Sequence, residues 1–295
     1  MTRTLSLAVA AVALAATAAL TSCTPSGRYV DQVFSAADKT TRVYKTTADL
    51  TSGAHLDLRL DLYQPRGDTL GRRPAIVWIH GGGFAAGSRT NLAAVADAYA
   101  RRGYVTVSID YRLDPGNRCQ ALQDGKITDP TEAAAERARC ERAIQAAQND
   151  GASAVGWLRR HADELRVDPK RIAVGGGSAG AVTAVNIAQR SNPGGGPLPS
   201  GTGVSAALAM SGCQYDLPAI DRYDAPVSML ASGGDQAVPY TCSVATVDRA
   251  ASFGTPVQRL FYPAESSHAQ ALYRQHQAEV DKAWTAFLVT HLRLG

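Results

Sequence analysis

The chain has 295 residues, 45% of them apolar and 6% aromatic, with a formal net charge of +4. That is enough apolar material to close a core around one domain. With no run of basic residues and few aromatics, nothing in it speaks for a nucleic-acid surface.

Arg3 is the only charge ahead of an apolar stretch from Leu5 to Leu20. The stretch is too short to span a bilayer comfortably and ends in small residues, so residues 1–22 read as a signal peptide. Leu20-Thr21-Ser22-Cys23 resembles the bacterial lipobox, which implies that Cys23 is acylated and becomes the first mature residue. The alternative is an ordinary secreted protein with an incidental cysteine. Either way the mature chain is extracytoplasmic and loses Arg3, so its charge falls from +4 to +3. Residues 23–40 read as a tether, its start rich in Thr, Pro, Ser and Gly, and residues 41–295 as the folded domain. Cys119, Cys140, Cys213 and Cys242 make an even set in an exported chain and point to disulfides, for which three pairings are possible. A metal site is disfavoured: no pair has C-x-x-C spacing and no histidine lies close in sequence.

Leu56, Leu58, Leu60 and Leu62 alternate with Asp57, Arg59 and Asp61, the pattern of a half-buried strand over His55–Tyr63, with Arg42–Thr46 as its antiparallel partner. Ala75–Ile79 and Val105–Ile109 are short continuous apolar runs, as in strands covered on both faces. Asn91–Arg102 reads as helix, and a long helical stretch follows over about Thr131–Leu165. Strand Ile172–Val174, helix Ala179–Gln189, strands Val204–Met210 and Val227–Ala231, helix Ser243–Phe253, strand Val257–Tyr262 and a last helix over Leu272–Leu292 complete the chain. Ser191–Gly203, rich in Gly and Pro, is a surface connection. Strands alternating with helices behind an N-terminal hairpin predict an α/β protein: a mostly parallel sheet of about eight strands with helices on both faces.

Two apolar runs break into glycine-rich turns. Ile76–Phe84 ends His80-Gly81-Gly82-Gly83-Phe84, and Ile172–Gly180 ends Gly176-Gly177-Ser178-Ala179-Gly180. A serine nucleophile needs a tight turn that presents its hydroxyl and backbone N–H donors for the oxyanion it creates. Both turns lie where a parallel sheet places its active site, at the carboxyl ends of strands. Ser178 is therefore the candidate nucleophile. The glycines Gly175-x-Gly177-x-x-Gly180 also satisfy a dinucleotide fingerprint, but no Asp or Glu stands about twenty residues on, between Gly194 and Gly203, to hold a ribose.

The hairpin, the His-Gly-Gly-Gly-Phe turn and the Gly-x-Ser-x-Gly elbow resemble the α/β-hydrolase esterases and lipases with an HGGG oxyanion turn, including the hormone-sensitive-lipase-like and feruloyl-esterase-like groups. The likeness runs from about Thr40 to the end of the chain. Gly177 stands where the first group commonly has Asp, and the longer match His-Gly-Gly-Gly-Phe-x-x-Gly, ending at Gly87, leans toward the second. The resemblance implies oxyanion donors at Gly82, Gly83 and Ala179 and a triad in the order serine, acid, histidine. That order selects Asp235, ahead of Val238-Pro239, and His268, between the last strand and the last helix. Asp216 and Asp224 are the reserve acids. His80 precedes the nucleophile and is expected to order its turn; His276 and His291 fall in or beyond a helix, and Glu265 reads as a solvated charge. On the family topology the cysteines pair Cys119–Cys140, pinning the insert Leu113–Thr131 beside the pocket, and Cys213–Cys242, joining adjacent strand ends. The short segment Met210–Pro226 leaves little room for a lid, so an open pocket is expected.

The expected function is carboxylic-ester hydrolysis through an acyl-enzyme at a membrane-tethered protein, on small or polymer-borne esters, without cofactor or metal. A serine exopeptidase on the same fold and a catalytically idle binding protein are the alternatives. Acyl and alcohol specificity and oligomeric state are not readable from the residues.

Overall fold

The computed structural model describes residues 27–189 and 203–294. The signal peptide, Cys23, the start of the tether and nearly all of the Ser191–Gly203 connection lie outside the described residues. β1 (Ala37–Ala48) and β2 (His55–Pro65) form an antiparallel hairpin. Its turn is closed by the Asp49 carboxylate, which accepts the N–H groups of Thr51 and Ser52 at 3.1 and 2.8 Å. β3 (Arg73–Ile79), β4 (Val105–Ile109), β5 (Val167–Gly177), β6 (Ala206–Met210), β7 (Val227–Ser232) and β8 (Val257–Tyr262) run parallel to one another. β2 joins them antiparallel to β4, giving one sheet of eight strands in the order β1-β2-β4-β3-β5-β6-β7-β8.

The apolar runs are strands because both faces of the sheet are covered. Val77 and Ile79 face one way, into a core shared with α3 (Pro130–Arg160), α5 (Ala179–Ala188) and α6 (Tyr240–Ser252). Ile76 and Trp78 face the other, into a core shared with α1 (Ala93–Ala100), α7 (Gln270–Gln275) and α8 (Gln277–His291). β3 and β5 are neighbours, with Ile79 opposite Gly176. This register sets the two glycine-rich turns side by side at the carboxyl edge, where the order of the strands reverses.

Four expectations need correction. Asp61 lies on the polar side of β2 yet is fully buried, because Lys39, Thr41 and Arg89 converge on its carboxylate from other elements. The folded body begins well before Thr40: the Arg28 guanidinium is buried against Asp68, the Tyr29 N–H donates to the Arg102 carbonyl, and β1 starts at Ala37. The long helix ends at Arg160, with α4 (Ala162–Leu165) as a separate turn. The last helix breaks at His276, whose ring stacks on Tyr262 and bonds Glu265 at 2.7 Å. Those contacts hold its backbone at φ −114°, ψ 22°, outside the helical range.

Both expected disulfides are present, with Cα separations of 5.6 Å for Cys119–Cys140 and 5.7 Å for Cys213–Cys242. They tie α2 (Cys119–Gln123) to α3 and the segment after β6 to the first turn of α6.

Candidate active site

Ser178 sits between the last residue of β5 and the first of α5, at φ 55° and ψ −125°. Such a backbone is strained for a residue with a Cβ and persists only where the surroundings impose it. Here the Ser178 N–H is bound to the Met210 carbonyl at 2.8 Å, and its own carbonyl accepts from Val182 in the helix. Room for the turn comes from its flanking glycines. A Cβ on Gly180 would stand 2.0 Å from the Ile79 carbonyl oxygen, and one on Gly176 would meet Gly180 at 2.4 Å. The same crowding answers the dinucleotide reading: these glycines face packed protein, with Trp78 against Gly175 and Gln270 against Gly177, and leave no groove for a pyrophosphate.

The turn after β3 lies against the elbow, since a Cβ on Gly81 would be 3.0 Å from the Ser178 Cβ. His80 is fully buried, stacked on Tyr111, with its Nδ1 2.6 Å from the Gly81 carbonyl. Burial holds its imidazole below the ordinary histidine value, so it is neutral and structural. Gly82, at φ +116°, directs its carbonyl to the N–H groups of Ala85 and Ala86, and the Phe84 carbonyl accepts from Asp114. Among the described residues the turn is thus held by its carbonyls, which leaves the N–H groups of Gly82 and Gly83 without an acceptor in the turn. Ala179 opens α5, so its N–H has no partner within the helix either.

Asp235 follows β7 and His268 follows β8. The His268 Nδ1 lies 2.8 and 2.9 Å from the two Asp235 carboxylate oxygens. Asp235 is 8% exposed. Burial pushes its carboxyl up, but donation from His268, the Val238 N–H, Ser211 and the Ala237 N–H outweighs it and holds the group below its ordinary value. An ionised carboxylate only accepts, so Nδ1 carries the proton and Nε2 is left as the acceptor. Gln270, two residues beyond His268, packs against Gly177, which brings the histidine loop to the elbow.

One residue had escaped notice in the sequence. Ser211, buried and at φ 54°, follows β6 between the strands that carry Ser178 and Asp235. Its oxygen accepts the Ala269 N–H at 2.9 Å while its hydroxyl serves Asp235, so it couples the acid to the histidine loop. Its place directly behind an apolar strand was the only available signal.

The reserves lie elsewhere. Asp216 lines a separate cavity, Asp224 sits in a turn with Asp221, His276 pairs with Glu265, and His291 packs on Phe287. Glu265 is therefore a paired charge, not a merely solvated one. Cys119, Glu136 and Cys140 bring potential metal-binding atoms together, but both sulfurs are spent in the disulfide and offer no thiolate.

The insert stands beside the pocket, as its position after β4 implied. A cavity of about 230 Å³ at Ser178 is walled by α2 of the insert as well as by Phe84, Tyr215 and Val238. A second cavity of about 720 Å³ lies beyond Phe84, Cys119, Gln123 and Tyr215, which line both.

Two family profiles match parts of the chain: one described as BD-FAE over residues 60–129 and one described as alpha/beta hydrolase fold over residues 136–228. The first spans the glycine turn after β3 and the second the elbow; neither reaches Asp235 or His268. The chain is 33% identical over 135 residues to phenmedipham hydrolase of Pseudarthrobacter oxydans, covering 45% of this chain and 23% of that protein. It is 33% identical over 125 residues to carboxylesterase NlhH of Mycobacterium tuberculosis, covering 42% of this chain and 31% of that protein. The matches thus span only a quarter to a third of these curated relatives. In structure, esterase 2 of Thermogutta terrifontis superposes in its apo form with a TM-score of 0.62 at 20% identity, over 85% of this chain and 94% of that one. Its propionate-bound form gives a TM-score of 0.61 at 20% identity, over 85% and 93%. The strand order, the elbow after β5 and these likenesses together give the chain the α/β-hydrolase fold.

Proposed function

We propose that the protein is a carboxylic-ester hydrolase working through an acyl-enzyme. A serine hydroxyl is a poor nucleophile near neutral pH and needs a base. Ser178 attacks the ester carbonyl while His268 Nε2 takes its proton. Asp235 holds the imidazole in that tautomer and stabilises the imidazolium. The carbonyl oxygen becomes an oxyanion facing the N–H groups of Gly82, Gly83 and Ala179; each such donor is worth on the order of 3 kcal/mol to a tetrahedral intermediate. His268 returns the proton to the departing alkoxide. Water, deprotonated by the same base, then releases the acid.

The observation that carries this reading is the Asp235–His268 contact at 2.8 Å on the same sheet edge as a serine held at positive φ. The named carboxylesterases among its relatives support an ester substrate. The test is a serine-directed fluorophosphonate. It should label Ser178 alone, and Ser178→Ala should lose both label and ester turnover. His268→Ala should lose about as much turnover, because the groups act as a unit. Label on a different serine, or substantial turnover in Ser178→Ala, rejects the reading.

We propose further that the protein is exported and held at the membrane by lipid on Cys23. No helix among the described residues is long and apolar enough to cross a membrane. Cys23→Ala should move the protein from the membrane fraction to the soluble one with its catalytic constants unchanged.

A further inference from the structure

The segment before α2 is fastened to the turn after β3, and α2 itself to the loop that carries the acid. The Asn117 amide donates to the Gly83 carbonyl at 3.1 Å. On the other side the amides of Gln120 and Gln123 donate to the carbonyls of Gln236 and Ala237 at 3.2 and 3.0 Å. Ala237 in turn donates its N–H to Asp235. The Cys119–Cys140 disulfide and the Arg118 N–H, bonded to Glu136 at 2.6 Å, hold the base of this strap on α3. It therefore spans the site from oxyanion turn to acid loop.

Beneath it lies the cavity of about 230 Å³, which includes Ser178, Ala179 and Gly83 in its walls but not His268. In an ester bound to Ser178 with its oxygen toward Gly83, the leaving oxygen must reach His268 to collect its proton. The acyl group is what remains to fill the cavity. That volume is below the range usual for sites holding drug-sized ligands, whereas the neighbouring 720 Å³ cavity is within it.

We propose that α2, latched by Gln120 and Gln123, is the element that sets acyl length. It confines the intact enzyme to short acyl groups, and Gln123 and Tyr215, with Phe84 and Cys119, form the partition from the larger cavity. This rests on the esterase reading above. Both glutamines are exposed, so replacing them removes the latch without opening the core.

The test is a series of p-nitrophenyl esters from acetyl to dodecanoyl. The wild-type enzyme should favour the shortest acyl groups. In Gln120→Ala/Gln123→Ala, and separately in Tyr215→Ala, the ratio of kcat/KM for the octanoyl over the acetyl ester should rise at least about tenfold, since single methylenes in a pocket are worth that much. Cys119→Ser/Cys140→Ser should move the ratio the same way. If the wild-type enzyme is neither labelled by a fluorophosphonate nor active on any ester, the esterase reading falls and this proposal with it. If it labels, and the ratio stays unchanged in the glutamine and tyrosine variants, the strap does not set acyl length. A wild-type preference for long chains is equally decisive against it.

Discussion

Asp235 and Asp224 are the same residue type, in the loops after and before β7, and each is almost wholly buried, at 8% and 7% exposed. Their chemistry is opposite. Asp235 receives His268, Ser211 and two backbone N–H groups and stays ionised below the usual carboxylate range. At Asp224 burial drives the carboxyl up to about 7; the Asp221 N–H offsets part of this and the charge of Asp221 adds to it. Burial alone therefore does not decide whether a carboxylate can serve a histidine. The number of donors aimed at it does.

The largest break in this contrast is Asp235→Asn, which keeps the shape but presents the wrong tautomer to His268. Ester turnover should fall by about 10⁴, while Asp224→Asn leaves it near wild type. Asp235 also has a pH signature. Its carboxyl is depressed in the folded protein, so its contribution to stability is present above the unfolded value near ~4 and is lost as pH falls through the lower folded value. Acid unfolding followed by circular dichroism should shift to higher pH in Asp235→Asn.

The Cys213–Cys242 bridge joins the β6 loop, which leads to Asp224, to α6, which follows Asp235. Cys213→Ser/Cys242→Ser should cost about 2–4 kcal/mol in urea unfolding, chiefly by freeing the unfolded chain. Turnover by the folded fraction should change little, because the Ser211 N–H is held by the Leu230 carbonyl and the Ser211 oxygen by the Ala269 N–H, apart from the bridge.

Ser211→Ala sharpens the comparison by moving Asp235 one step toward Asp224. Losing a hydrogen bond to a charged group is worth about 1.5–3 kcal/mol, so kcat should fall roughly 10- to 100-fold. The acid limb of the rate profile should move up in pH, since the carboxylate has lost a donor; a purely structural serine would not move that limb. Ser211→Thr should restore part of both.

The smallest effect is in Asp224→Asn. The folded group titrates near 7 and the unfolded one near ~4, so wild-type stability falls as pH rises between them. The variant should match wild type at about pH 4 and exceed it at about pH 8, the difference growing as pH rises between the two values. Equal stability at both pH values would show that Asp224 is not held protonated.

The residues alone determined everything that depends on local spacing. Alternating leucines made β2, uninterrupted apolar runs made strands covered on both faces, and glycines at fixed offsets made the two turns beside β3 and β5. The choice of acid and histidine, behind β7 and β8 with the serine behind β5, came from the family resemblance, as did the pairing of the four cysteines. What escaped were properties made by residues distant in the chain. The burial of Asp61 depends on Lys39 and Arg89, and the break at His276 on Tyr262 and Glu265. The opposite fates of Asp224 and Asp235 depend on Asp221, Ser211 and His268. The strap over Ser178 depends on glutamines meeting carbonyls more than a hundred positions away. Periodicity records which side of an element faces the core, but a hydrogen bond is decided by what stands opposite, and only the assembled sheet edge brings those partners within reach.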